Sequence, residues 1–431
     1  MGGKPSGDTM LYAKDFDWEA GGRQVAGLAD WRERFEWVEE PSISPDGKQI
    51  AAVAKLADDD AFTVCVNGED WPQTFEKIWN LRHAPDGRLT ALVQADGVWT
   101  LAVDGEPWEE TYDFAWNTMF SADGQDIAVC VQNGMEYGMA MNGGAWETLY
   151  PNANNACLSP AGSRTAAAVQ TEPLGQAETD KFQSGIFSAC VDGEAWDKTF
   201  VNVWGVAFSP DGVRTAAEVR LNLYEYTIAV DGRTWRKSFG GVWEPVFSPD
   251  GKRVAAPVRL AGKWTLAVDG ERAWDGDYYQ LWHQAFTPDG SGVAAIVSPG
   301  FGKWTVAVDD RPWGTAHDVV KDMAVSPGGG SVAAVAGRPG DWTVVVDGRP
   351  WNTSFERIGA PVFSPDGASV AVLAELGGRG VLAVDGKVSG LAKGICQQPI
   401  FSPDGKRILA KCLDGDKYIR RVVSVSALEA A

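Results

Sequence analysis

One tetrapeptide recurs ten times in this chain and constrains its folding more than any other feature. Ser-Pro-Asp-Gly, or a close variant, stands at 44–47, 84–87, 121–124, 159–162, 209–212, 248–251, 287–290, 326–329, 364–367 and 402–405. Successive copies lie 37 to 40 residues apart, apart from one interval of 50. A second marker, Val-Asp-Gly or a variant, follows within each of the first nine repeats and ends at Gly68, Gly105, Gly143, Gly193, Gly232, Gly270, Asp310, Gly348 and Gly386. Both motifs dictate turns: Pro presets φ at the first corner, Asp caps its own turn, and Gly accepts positive φ. A unit this short cannot bury its own faces, so the copies must stack on one another.

Between the turns the residues alternate or run apolar with β-branched and aromatic character, as in Arg253-Val254-Ala255-Ala256-Pro257-Val258 and Trp264-Thr265-Leu266-Ala267-Val268. That pattern predicts strands. Each repeat reads as four of them, A to D: A ends at Ser-Pro-Asp-Gly, B follows it, C ends at Val-Asp-Gly, and D begins at the next Trp. No sustained helical period appears. A four-stranded unit repeating near 40 residues is the signature of a propeller blade.

The repeat also explains the unusual excess of 20 Trp over 17 Phe and 9 Tyr. Nine Trp stand 13 residues before a Ser-Pro-Asp-Gly turn: Trp31, Trp71, Trp108, Trp146, Trp196, Trp235, Trp274, Trp313 and Trp351. They read as anchors of strand D. Five stand five residues before the turn (Trp79, Trp116, Trp204, Trp243 and Trp282), and four stand six residues before the end of Val-Asp-Gly (Trp99, Trp264, Trp304 and Trp342). Trp18 and Trp37 fall outside these columns.

Trp31 occupies the strand D column ahead of the first turn, whereas the last repeat runs out after strand C. A strand near 31–38 is therefore expected to complete the last blade and remove both sheet edges. The expected fold is all-β: a β-propeller of ten four-stranded blades in one closed ring over residues 31–425, with an N-terminal extension at 1–30 and a C-terminal tail at 426–431. Two five-bladed rings are the alternative. No linker separates the repeats, however, and the long interval comes from an insert near Thr171–Ser184 between strands B and C.

A formal charge of −20 disfavours nucleic acid and anionic lipid as partners and favours cationic ones. No stretch approaches the roughly 18 apolar residues of a membrane span, and the N terminus lacks an apolar leader, so a cytoplasmic protein without direct membrane insertion is expected. Cys65, Cys130, Cys157, Cys190, Cys396 and Cys412 form no Cys-x-x-Cys and no pattern with His83, His283 or His317. No catalytic residue, metal ligand or cofactor site is expected, and the chain does not read as an enzyme.

Phe-Ser-Pro-Asp-Gly-Lys-Arg followed by an apolar strand, at 247–254 and 401–408, resembles the WD40-like repeat of TolB-type β-propellers, and the resemblance spans about residues 31–425. It implies a fold and not a function, because propellers host enzymes, receptors and scaffolds alike. In size, acidity and Trp content the whole chain is also similar to the tryptophan-rich subunit of the Tmc transmembrane redox complex of sulfate-reducing bacteria. That resemblance implies a cytoplasmic accessory subunit at the inner face of the membrane, docked beside iron–sulfur and membrane haem subunits. With no ligand set of its own, the chain would assist assembly or docking there and not carry electrons.

In propellers the loops joining D to A and B to C share one face, and strand A lines the channel, so a partner is expected near the start of strand A. Four residues before each turn stands a mostly polar column: Glu40, Asn80, Asn117, Asn155, Gly205, Glu244, His283, Asp322, Ala360 and Gln398. Strict alternation would aim it away from the apolar strand positions, as a solvated polar wall. The candidate partner-binding residues are Trp79, Trp116, Trp204, Trp243 and Trp282, an aromatic arc of the kind enriched at interfaces, with Glu244, His283 and Asp322. The expected function is a non-catalytic protein-binding scaffold, as an accessory subunit of a membrane-associated electron-transfer complex. The alternative is a propeller that binds a small ligand or ion at the channel mouth, with or without catalysis.

Overall fold

Each Asp-Gly pair closes a two-residue hairpin between strands C and D because both residues take positive φ, 50° and 90° at Asp104-Gly105 and 49° and 83° at Asp269-Gly270. This is the type I′ turn, whose twist matches the strands it joins. The acidic side chain has a further task. Its Oδ1 accepts the first N–H of strand B, as from Leu89 to Asp104 (2.8 Å), Thr165 to Asp192 (2.7 Å) and Val370 to Asp385 (2.8 Å). In the Ser-Pro-Asp-Gly turn, the Ser248 hydroxyl donates to Asp250 (2.6 Å) and accepts the N–H of Arg253 (3.0 Å). The turns thus satisfy the polar groups that the ends of short strands leave open.

The computed structural model describes residues 13–392 and 395–429. They form ten antiparallel sheets, each in the order A-B-C-D, and the chain is an all-β propeller of ten blades. Blade 1 consists of Trp37–Ile43, Ile50–Lys55, Phe62–Val66 and Glu69–Asp70, and blades 2 to 10 follow in chain order. Strand A is split in blades 9 and 10 and short in blade 6; these blades carry Pro361, Pro399 and Pro245, which lack a ladder donor, although Pro41 at the same position leaves Trp37–Ile43 unbroken in blade 1. Short helices at Leu28–Arg34, Thr179–Ser184 and Val425–Glu429 lie outside the sheets. The second lies in the insert of blade 4.

Strand B is covered on both faces and so reads as a continuous apolar run; Ile50 to Ala54 are wholly buried. The cores lie between blades. Ala51, Val53 and Val64 of blade 1 meet Leu89, Ala91 and Val93 of blade 2, and Ala255 and Leu266 of blade 6 meet Leu281, Val293 and Ala295 of blade 7. The Trp at strand D completes several of these junctions. Trp71 packs against Gly105 of the next blade, Trp146 against Gly193, and Trp235 against Gly270.

Blades 8, 9, 10, 1 and 2 gather in one compact unit and blades 3 to 7 in another. In the first, Tyr418 of blade 10 packs on Ile50 and Ala52 of blade 1. In the second, Ala216 and Ile228 of blade 5 pack on Val254, Ala256 and Val258 of blade 6. Blade 5 thus packs directly on blade 6, and a division of the chain into repeats 1–5 and 6–10 does not hold.

The N-terminal strand completes blade 10, but the strand is Gly21–Gly27, paired with Lys417–Ser424, and not the segment near 31–38. Trp31 belongs to the helix Leu28–Arg34, and Trp37–Ile43 is strand A of blade 1. The Trp column set the wrong phase because Trp31 keeps the column's packing role, buried beside Gly68, while a helix and not a strand delivers it. Residues 1–12 of the extension and 430–431 of the tail lie outside the described residues. Blade 10 also grips the first turn: Lys411 donates to the carbonyls of Ser44 (3.1 Å) and Pro45 (3.3 Å), Tyr418 to Gly47 (2.9 Å) and Arg420 to Asp46 (3.0 Å). Burial lowers Lys411 to about 8.

Candidate functional site

The five Trp near the start of strand A are half-buried, and each meets the aromatic residue of strand C in its own blade. Trp79 and Trp116 contact Trp99 and Tyr137 edge to face; Trp204, Trp243 and Trp282 stack on Tyr226, Trp264 and Trp304 with centroids 5.8, 3.9 and 4.4 Å apart. In blade 8 the same position is Lys321, whose ammonium lies 5.1 Å from the Trp342 ring, a cation–π substitute for the stack. Trp243 also donates its indole N–H to the carbonyl of Leu281 in blade 7 (2.9 Å). These rings pack their own sheets and keep part of one face toward solvent.

The polar column has a cause that alternation did not reveal. Glu40, Asn80, Asn117, Asn155, Glu244, His283 and Asp322 all take positive φ, from 45° to 58°. Six of them, all but Glu244 of blade 6, sit where the A–B register shifts by a bulge in blades 1 to 4, 7 and 8. Asn, Asp and His tolerate the left-handed region better than most residues, and a bulge re-aims the side chains beyond it. The column is therefore not a plain solvated wall. Several members tie one blade to the next: Glu40 accepts the N–H of Leu81 (3.1 Å), Asn155 donates to the carbonyl of Trp204, and Glu244 accepts the N–H of His283 (2.7 Å).

Blades 5 to 7 bring together five of the eight candidate residues: Trp204, Trp243, Trp282, Glu244 and His283. Trp116 belongs to blade 3 of the same unit, separated from them by blade 4 with Asn154 at its position. Trp79 and Asp322 belong to blades 2 and 8 in the other unit, where Asp322 pairs with Lys321 (3.1 Å). At the 5–7 seam a residue absent from the expected set is central. Glu218, on strand B of blade 5, accepts the N–H of Glu244 (2.6 Å). It takes the place of a column side chain that Gly205 lacks; a Cβ on Gly205 would lie 3.5 Å from the Glu218 carboxylate. Burial pushes the Glu218 carboxyl up to about 7, with the Glu244 N–H opposing and the Glu244 charge adding to the rise. Gln284, 1% exposed, donates through Nε2 to the Glu244 carbonyl, while its Oε1 is buried with no hydrogen-bond partner.

One signal in the sequence could have found Glu218. Aligned on strand B, its position holds Val53, Leu92, Cys130, Ala168, Pro257, Ile296, Val335 and Leu373 in eight other blades. Only Glu218 and Lys411 are charged there. Lys411 spans the closing seam, where its ammonium meets two carbonyls, whereas Glu218 has no cation bonded to it among the described residues.

At the same end of blade 5 the B–C loop divides two grooves. One, of about 480 Å³, is lined by Gln183 of the insert with Val201 and residues 222–225. The other, of about 470 Å³, runs from Tyr224 and Ser238 to Arg259 and Gly262 of blade 6. Tyr224 belongs to both and is 80% exposed.

Cys65, Cys130, Cys157 and Cys190 are free thiols raised by burial to about 11 or 12, outside the range of reactive thiolates. Cys412 is disulfide-bonded, and the Cys396 side chain lies outside the described residues. Among the described residues no three metal-ligating side chains cluster, and no helix is long and apolar enough to cross a membrane.

No protein-family model matches the chain, and no curated protein matches it. Among solved structures it is similar to one titled as a crystal structure of the eukaryotic initiation factor, with a TM-score of 0.50 at 14% identity over 77% of this chain and 92% of that one. It is also matched to TolB from Acinetobacter baumannii (TM-score 0.29, 18% identity, 60% of this chain and 63% of that one) and to a putative TolB from Agrobacterium tumefaciens (TM-score 0.29, 19% identity, 43% and 74%). At such identities the first likeness bears on fold alone, and the two TolB superpositions carry no functional weight.

Proposed function

We propose that this chain is a non-catalytic protein-binding propeller, and that the D-to-A and B-to-C loop end of blades 4 to 7 holds the partner. The distribution of exposed apolar side chains carries this reading. Among the described residues of blades 3 to 7, eight large apolar side chains are exposed, and Phe114, Met135, Leu174, Leu223, Tyr224, Tyr279 and Phe301 all stand at that end. Only Val213 lies on an A–B turn. Scattered apolar residues would fall on both ends, whereas a concentration at one end marks an interaction surface. The grooves beside Tyr224 offer pockets for apolar side chains of a partner, and rigid aromatic anchors of this kind supply most of the energy at interfaces. No catalytic role is assigned, because Glu244, His283 and Gln284 are engaged in holding blades together.

An electron-transfer complex is one setting for such a scaffold. Size, acidity and Trp content support it, and stacking and blade junctions absorb most of the Trp. Mild purification from native membranes tests it: companion iron–sulfur or haem subunits would support this setting, and recovery without them would end it. The broader reading is tested by affinity capture with the wild-type chain, Leu223→Ser/Tyr224→Ala, and Val213→Ser as the opposite-end control. Retention of the same partner by all three would overturn it.

A further inference from the structure

We propose that the seam of blades 5 to 7 receives a lysine or arginine side chain of the protein partner, with Glu218, Glu244 and Gln284 as its acceptors and Trp204 and Trp243 as its walls. The inference rests on the protein-binding reading and names the partner's chemistry. A buried carboxylate is expensive unless a cation or several donors compensate it. Glu218 accepts one N–H, from Glu244, and no ion pair joins it to a cation among the described residues. Gln284 adds a second, independent sign. Its amide is held at the same place by the Glu244 carbonyl, and its Oε1 is a buried acceptor with no donor. Such a group calls for a donor that arrives from outside.

Trp204 precedes Gly205 and Trp243 precedes Glu244 in the chain, and their rings stack on Tyr226 and, at 3.9 Å, on Trp264. Ring faces next to carboxylates suit a planar guanidinium or an ammonium. Half-exposed Glu244 and exposed His283 mark the solvent side of the seam. The titratable or charged groups on elements packed around Glu218 are Glu244, His283, Tyr226, Cys157, Cys190, Arg220 and Arg259, the last exposed and lining the second groove. Arg220 is occupied by the carbonyls of Asn222 (2.9 Å) and Leu223 (3.0 Å). The chain's charge of −20 favours approach of a basic segment.

The full chain can be titrated calorimetrically with a capped heptapeptide, Ala-Leu-Ala-Arg-Ala-Leu-Ala, with its neutral citrulline twin, and with methylguanidinium. The expected result is 1:1 binding of the arginine peptide, at least about tenfold tighter than the twin. That preference should weaken as pH falls from 8 to 5.5 and protonates Glu218. It should vanish in Glu218→Gln and drop severalfold in Gln284→Met, a second variant of similar size that does not depend on how Glu218→Gln folds. Equal affinity for the twins, no binding of either, or a preference that survives in both variants would overturn the site. Methylguanidinium binding as tightly as the peptide would overturn its assignment to a partner side chain and make it a site for small cations. Capture that depends on Tyr224 but not on Glu218 would remove this inference and leave the protein-binding reading standing; capture that depends on neither would remove both.

Discussion

Glu244 holds His283 twice: one carboxylate oxygen accepts the main-chain N–H at 2.7 Å, and the other lies 3.2 Å from the imidazole Nδ1. A left-handed residue of blade 6 thereby fixes a left-handed residue of blade 7, with φ of 45° and 52°. Glu244→Ala removes both contacts and is expected to cost about 1–2 kcal/mol, most of it from the charge-assisted bond to the N–H, since the exposed ring contact contributes little. Glu244→Gln keeps an acceptor and should lose less than half of that. Urea unfolding measures both, and equal losses would mean that the contact is packing alone.

Glu218 makes stability depend on pH in an unusual direction. Its folded pKa of about 7 lies above the ordinary 4.5. Between those values the folded state keeps a proton that the unfolded chain has released, so stability falls as pH rises through that window, and the whole cost is present above about pH 7. Glu218→Gln should therefore exceed the wild type by about 2 kcal/mol at pH 8 and match it near pH 4.5. A difference that does not change with pH would contradict this origin of the shift.

The blade junctions predict a contrast among tryptophans. A Cβ at Gly270 would lie 3.0 Å from the Trp235 Cβ, and Gly270 has φ of 83°, so Gly270→Ala is strained twice and should cost about 1–3 kcal/mol. Trp235→Ala opens the junction and should cost about 2–4 kcal/mol. Trp37, 47% exposed at the start of strand A, should tolerate Ala within about 0.5 kcal/mol. Thermal melts of the three variants give the order, and a large loss at Trp37 would mean that its exposed ring takes part in blade packing.

The legible part of the fold was the part that repeats. Asp-Gly hairpins and apolar B strands act locally, so ten copies displayed them, and blade number and strand order followed. Closure was misplaced by one element because Trp31 does from a helix what its column does from a strand. The polar column was visible as composition, yet its left-handed backbone was not, because a bulge breaks the period-2 alternation on which side-chain direction rests. Glu218 was legible in principle as a charge in an apolar column. Gln284 was not, since its unpaired oxygen exists only once blades 6 and 7 meet.

The closing strand can be tested by removal. Deleting Gly21–Gly27 would bare the edge of Lys417–Ser424 in blade 10, and a bare edge invites pairing with other chains. The deleted protein should elute as oligomers in size-exclusion chromatography and lose cooperativity on heating. A monomer with an unchanged melt would show that blade 10 does not need that strand.

The most direct test of the protein-binding reading is the affinity of a captured partner for three forms of the chain. Leu223→Ser/Tyr224→Ala strips the anchors between the two grooves, whereas Val213→Ser removes an equally exposed apolar group from the A–B turn of the same blade. The expected result is a loss of at least about thirtyfold in Kd for the double variant, about 2 kcal/mol, with Val213→Ser unchanged and both melting like the wild type. Wild-type affinity in the double variant, or an equal loss in Val213→Ser, would contradict the account.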